Sequence, residues 1–118
     1  MDIFVFGSNL AGIHGAGAAR YALNNCGAIW GHGVGLQGSS YAIPTRDHRI
    51  KTLPLETIQK YVDDFIQFAR STPNLTFEVT PIGCGLAGYS VYQIAPMFEH
   101  MPANCRFSSS WNDHCPKD

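Results

Sequence analysis

Charge is the first thing this chain has little of. Asp, Glu, Lys and Arg together make up 14% of its residues, and the formal net charge is −1. A protein that grips extended nucleic acid shows a basic stripe, so that class is excluded. The chain also has no run of about 18 apolar residues, the length a membrane-spanning helix needs. Its first residues, MDIFVFGSN, lack the basic start and longer apolar stretch of a secretory signal. A cytoplasmic protein is therefore expected (host cytoplasm if the source is viral), with no membrane partner. Cysteine appears only at Cys26, Cys84, Cys105 and Cys115, with no C-x-x-C pair. Neither a disulfide framework nor a zinc site is expected. Cys105, His114 and Cys115 are the nearest approach to a ligand set, but adjacent ligands in a tail have poor spacing for zinc. No metal and no cofactor are expected.

Glycine is abundant and unevenly placed. Nine of the 12 glycines fall between Gly7 and Gly38, and the other three between Gly83 and Gly88. Glycine is needed where backbone takes positive φ or comes close to something else. Two separated clusters suggest two loops that face one ligand. With 118 residues there is room for one core, so a single domain over 1–118 is expected, with 107–118 as a tail.

The elements alternate between strand and helix. DIFVF reads as a short buried strand, and AGAARYALNN as a helix ending near Asn25 and Gly27. AIW reads as the start of a second strand, GHGVGLQG as a long loop and SYAIPT as another strand. Leu55, Ile58, Val62, Phe65 and Ala69 recur at 3–4 spacing and predict one apolar helix stripe. Pro54 and Glu56 suit the first turn of that helix. LTFEVTPI is a strand with Leu75, Phe77 and Val79 on one face. Ser90 and Gln93 form a capping-box pattern for a short helix that Pro96 should kink or end. NCRFSS is the last strand. Such alternation predicts an α/β fold with a mostly parallel central sheet and helices on both faces. Ligands then sit at the carboxyl ends of the strands, where both glycine clusters fall.

GIHGAGAARYA is not a dinucleotide fingerprint, because no acid stands about twenty positions on, and it lacks the lysine of a P-loop. The second loop, PIGCGLAGYS, joins a strand to a helix start through three glycines. Free amides there, with a helix dipole, can hold phosphate without charged side chains. The order GSN…GAGAA, amphipathic helix, PIGCGLAGYS resembles the macrodomain family, which binds ADP-ribose and related groups and in part hydrolyses them. PIGCGLAG and SYAIPTRD…LPLETIQKYV are most similar to the branch that includes terminal ADP-ribose protein glycohydrolases. FVFGSNLAG near the start resembles small proteins carried by phages and bacteria. The likeness spans about residues 3–107 and implies a minimal three-layer α/β/α macrodomain-like fold.

What the resemblance implies for the site is specific. Asn9 would lie near the distal ribose, with Gly15, Ala16 and Gly17 wrapping that ribose and its phosphate. Gly83, Cys84, Gly85, Leu86, Ala87 and Gly88 would receive the diphosphate, and Tyr89 would cover the ribose or stay in the core. Three positions depart from the family. Asp2 is a poor substitute for the aspartate that reads adenine. Arg46 stands where the glycohydrolase branch has a lysine, and Ala87 where it has an acid. Arginine cannot serve as an amine nucleophile. Asn9, His14, His32 and Asp47 are the remaining candidates for catalysis, histidine being the usual base near neutral pH. Gln37, Ser39 and Ser40 offer polar partners for ribose or base, or else make a polar turn. Trp30 is expected in the core and Trp111 in the open. The expected function is binding of ADP-ribose or a related ribose-diphosphate nucleotide. Two other readings are a hydrolase acting on ADP-ribosyl or phosphoester linkages, and a phage-type sponge for an NAD-derived or cyclic nucleotide signal. A homo-oligomer is compatible with all three.

Overall fold

The computed structural model describes residues 2–114, the last of them in its backbone only. In chain order the elements are β1 (Asp2–Asn9), α1 (Gly17–Asn25), β2 (Gly35–Gln37), β3 (Ser40–Arg46), α2 (Leu55–Ser71), β4 (Thr76–Val79), α3 (Val91–Ile94) and β5 (Cys105–Phe107). Short 3₁₀ turns follow α3 and β5. The strands make one five-stranded sheet in the order β2-β3-β1-β4-β5. Only the β2–β3 pair is antiparallel; β3, β1, β4 and β5 run parallel. The fold is α/β with a mostly parallel sheet, as the alternation predicts.

Side chains alternate across a strand, and the two apolar clusters follow that alternation. Ile3 and Val5 of β1 join Tyr41 and Ile43 of β3 in the larger cluster, which α2 covers with Ile58, Val62, Phe65, Ile66 and Ala69. Phe6 and Ala42 point the other way and meet Ala19 and Ala22 of α1. The predicted stripe on α2 is thus the one the sheet buries, with Leu55 partly buried at its edge. Phe65 is its hub, with ring centroids 5.0 Å from Tyr41 and 5.3 Å from Phe77, both edge-on.

Several local readings are corrected. AIW is not a strand: Ala28–Trp30 lie in a loop, and the edge strand is β2, inside the stretch read as loop. Ile29 has its N–H bonded to the Gln37 side chain instead of to a strand. The two tryptophans exchange roles. Trp30 is 57% exposed, whereas Trp111 is 7% exposed. The Trp111 indole donates to the Val79 carbonyl at 2.7 Å and packs against Phe107 at 4.9 Å. The 3₁₀ turn Ser109–His114 is what seats it. Finally, α3 is four residues long before Pro96 enters a 3₁₀ turn. Ser90 N–H does bond the Gln93 side chain at 2.9 Å, as the capping box requires. A helix this short carries little dipole.

Many glycines serve packing between chain segments. A Cβ on Gly33 would lie 2.1 Å from the Asn9 carbonyl oxygen, and one on Gly12 would lie 2.2 Å from the Gly31 backbone. The segments after β1 and before β2 therefore touch backbone to backbone, which no larger residue permits.

Candidate functional site

The four parallel strands all end on the same side, and a cleft of about 640 Å³ lies there. That size falls within the ordinary range for small-molecule sites, about 300–1,000 Å³. Its wall is built from Gly7–Asn9 at the end of β1, Thr45 and Arg46 at the end of β3, and Thr80–Gly83 after β4. Ser108–Ser110 follow β5. Residues 16–19 at the start of α1 form one side, and Gly85, Leu86 and Ala87 form the other.

The amides on these two sides are unspent. Those of Gly17, Ala18 and Ala19 make no hydrogen bond among the described residues, and α1 has no side-chain cap. The amides of Gly83, Gly85, Leu86 and Ala87 are likewise without a partner there, while Cys84, Gly88 and Tyr89 spend theirs inside the loop. Paired backbone is the rule in folded proteins. Two sets of unpaired donors therefore stand on the wall of one cleft, the donor chemistry an anion requires. Thr52 Oγ1 donates to the Ala87 carbonyl at 2.9 Å and pins the second loop to the segment after β3. Among the described residues, Arg46 and Glu78 are the only Asp, Glu, Lys or Arg residues on the wall.

The nominated site residues divide. Asn9, Ala16, Gly17, Gly83, Gly85, Leu86 and Ala87 line the cleft; Gly15, Cys84, Gly88, Tyr89 and Gln37 do not. Asn9 is buried and its amide is engaged: it donates to the Ile13 carbonyl at 2.9 Å and accepts from the Ile13 N–H at 3.0 Å. These two bonds fix its orientation and shape the first loop. Gln37 closes the neighbouring loop, donating to the His32 carbonyl at 3.0 Å and accepting from Ile29 N–H at 2.8 Å. The Ser39 hydroxyl donates to the Cys26 carbonyl at the end of α1 at 3.2 Å, and the Ser40 hydroxyl to the Gln37 carbonyl at 2.6 Å. The Tyr89 hydroxyl donates to the Leu53 carbonyl at 2.6 Å and its ring packs on the main core.

The candidates for a base lie elsewhere. His14 is fully buried, edge-on to Phe6 at 5.4 Å, with Nε2 donating to the His32 carbonyl at 3.0 Å. Its Nδ1 has no partner among the described residues. His32 is exposed and off the cleft. Asp47 Oδ1 accepts the Arg49 and Lys51 amides at 2.8 and 3.0 Å. Those bonds hold its carboxyl below the usual range, which weakens it as a base. Asp2 is off the wall and bonded by Arg106 and Thr76, which hold its pKa at about 2. Burial pushes the Cys84 and Cys105 thiols up to about 11, so neither offers a thiolate at neutral pH.

Sequence reasoning missed the part of the cleft that runs back over the sheet. Phe4, Tyr21 and Glu78 line it there. Glu78 is visible in the sequence only as one acid in an otherwise uncharged strand, which marks an outward face and nothing more. Among the described residues, no group of three or more His, Cys, Asp or Glu is placed to hold a metal, and no helix is long and apolar enough to cross a membrane. Cys115 lies outside the described residues. No protein-family model, no curated protein and no solved structure matches the chain.

Proposed function

We propose that the chain is a minimal macrodomain-like protein, three-layered α/β/α, that binds a ribose-diphosphate nucleotide of the ADP-ribose class. The observation that carries this reading is the pair of unspent amide runs, at the start of α1 and in the loop 83–87, on opposite sides of one cleft. A diphosphate supplies the anionic oxygens those donors need. Among the described residues, Arg46 has no side-chain partner and is the one cation on the wall. The α1 cluster and the α2 cluster on opposite faces of the sheet support the layered build. The sequence likeness to macrodomains agrees with both.

Binding without turnover is favoured over hydrolysis. Asn9, His14 and Asp47 are committed to loop structure, and Arg46 replaces the lysine of the glycohydrolase branch. Arg46 can hold a phosphate but not form an imine or take a proton. The test is recovery of the ligand. ADP-ribose bound to the protein, released by heat and analysed by chromatography, should return intact, and protein modified with ADP-ribose on glutamate should keep its modification for hours. Release of free ADP-ribose in amounts exceeding the protein would install the hydrolase reading instead. A sponge for a nucleotide signal is the same chemistry at higher affinity.

A further inference from the structure

Positive charge is gathered at one place in this chain. Of its eight Lys and Arg residues, Arg46, Arg49 and Lys51 stand within six positions, with Asp47 the one acid among them. That stretch has a net charge of +2 where the whole chain has −1, so all other residues together carry −3. The three cations belong to the turn that follows β3. Arg46 lies on the cleft wall, and Arg49 and Lys51 are exposed beyond it. Among the described residues none of the three forms an ion pair. The turn has one fixed shape. Arg46 and Thr52 bridge its base, Asp47 N–H donates to the Lys51 carbonyl at 2.7 Å, and Asp47 Oδ1 accepts the Arg49 and Lys51 amides. Ile50 is held at φ 64°, a conformation that costs a β-branched residue energy and persists only where its surroundings fix it. Thr52, next to Lys51, donates to the Ala87 carbonyl, and Leu53 N–H donates to the Thr45 carbonyl at 2.9 Å. A fixed, basic turn therefore rims the cleft beside the amides of the second loop.

We propose that this turn docks an acidic peptide segment that carries the nucleotide, so that the protein reads an ADP-ribose-class group together with the acidic chain it is attached to. The inference rests on the nucleotide reading of the cleft and names the carrier that reading leaves open. Unpaired, exposed cations attract carboxylates, and their field fades over about 10 Å at 0.1 M salt. Only anions close to the mouth of the cleft feel this turn. Its extent favours a short acidic stretch over nucleic acid. Three cations within one turn meet about as many carboxylates. A polynucleotide carries a charge on every residue, and beyond the turn it would meet the net −3 of the other residues. Arg46 joins the two surfaces, because it stands on the cleft wall and at the base of the turn. A nucleotide in the cleft and the chain bearing it can thus be held side by side.

Calorimetric titration with three probes tests this. One is free ADP-ribose. The others are ADP-ribose attached through a stable amide to a glutamine side chain in a short peptide, whose neighbouring residues are Glu and Asp in one and Gln and Asn in the other. Wild-type protein should hold the acid-flanked conjugate roughly tenfold more tightly than the neutral one, as two or three exposed ion pairs allow. The advantage should fade as salt rises from about 0.05 to 0.5 M. Arg49→Gln combined with Lys51→Gln removes two charges and keeps the backbone N–H groups that Asp47 accepts. This double variant should bind the two conjugates alike and free ADP-ribose within a fewfold of wild type. Equal affinity of the wild type for both conjugates, or an advantage that the double variant keeps, overturns the docking while leaving the nucleotide site standing. So does tighter binding of the same group on the 5′ phosphate of a short single-stranded DNA, which would make nucleic acid the partner. If the double variant fails to fold, the wild-type comparison and its salt dependence decide. Wild-type protein that binds neither free ADP-ribose nor either conjugate would remove the nucleotide reading itself.

Discussion

Gly85→Glu should abolish nucleotide binding in a protein that still folds. Gly85 has no left-handed φ, and a Cβ built on it meets nothing within 4 Å. Added bulk therefore enters the cleft and not the core. The new carboxylate would stand among the amides proposed to hold the diphosphate. Two like unit charges about 4 Å apart repel by about 4 kcal/mol at an effective dielectric near 20. That corresponds to roughly a thousandfold in affinity. Gly85→Ala fills the same open space without charge and should bind within a fewfold of wild type. Titration of both variants, with their melting curves, separates the cases. Unchanged affinity in folded Gly85→Glu would place the phosphate elsewhere.

Phe65→Ala should be the most damaging single change to the fold. The ring is fully buried and meets Tyr41, Phe77 and Phe98 edge-on. It therefore ties α2 to β3, β4 and the turn after α3. Truncating a buried phenylalanine costs about 3–5 kcal/mol, against a total of about 5–15 kcal/mol for a domain. At roughly 4–5 °C per kcal/mol, the melting temperature should fall by about 12–25 °C. Chemical denaturation should show a lower midpoint with an unchanged slope. A shift of only a few degrees would mean that this cluster is not the centre of the core.

The elements that a single stretch of chain specifies were legible in the sequence. The 3–4 spacing from Leu55 to Ala69 determines which face of α2 is buried, whatever the sheet order. The alternation of Phe77 and Val79 does the same for β4. Features that depend on which strands meet were not legible. Trp30 stands beside an apolar run and Trp111 near a tail, which predicts the reverse of their burial; the turn after β5 buries Trp111, and Trp30 is 57% exposed. The long glycine run looked like one ligand loop. Its members divide between close packing, as at Gly12 and Gly33, and the cleft, as at Gly17. A strand–glycine–helix order announces free amides, and Ala16, Gly17, Gly83, Gly85, Leu86 and Ala87 do lie on the cleft wall. Asn9 and His14 have the right chemistry, but hydrogen bonds invisible in the sequence commit them to the loop. Glu78 depends on a register of β4 against β1 and β5 that no local pattern encodes.

The central claim is that two runs of backbone amides in one cleft hold the diphosphate of a nucleotide. Thermal melting with and without ADP-ribose, GDP and ADP tests it most directly. At a hundredfold excess over its dissociation constant, a ligand specific for the native state adds about 2.7 kcal/mol of stability. In a domain of this size that raises the melting temperature by roughly ten degrees. The account predicts that shift for at least one of these diphosphates in wild-type protein and its absence in Gly85→Glu. A wild-type melt that none of them moves at millimolar concentration would contradict it.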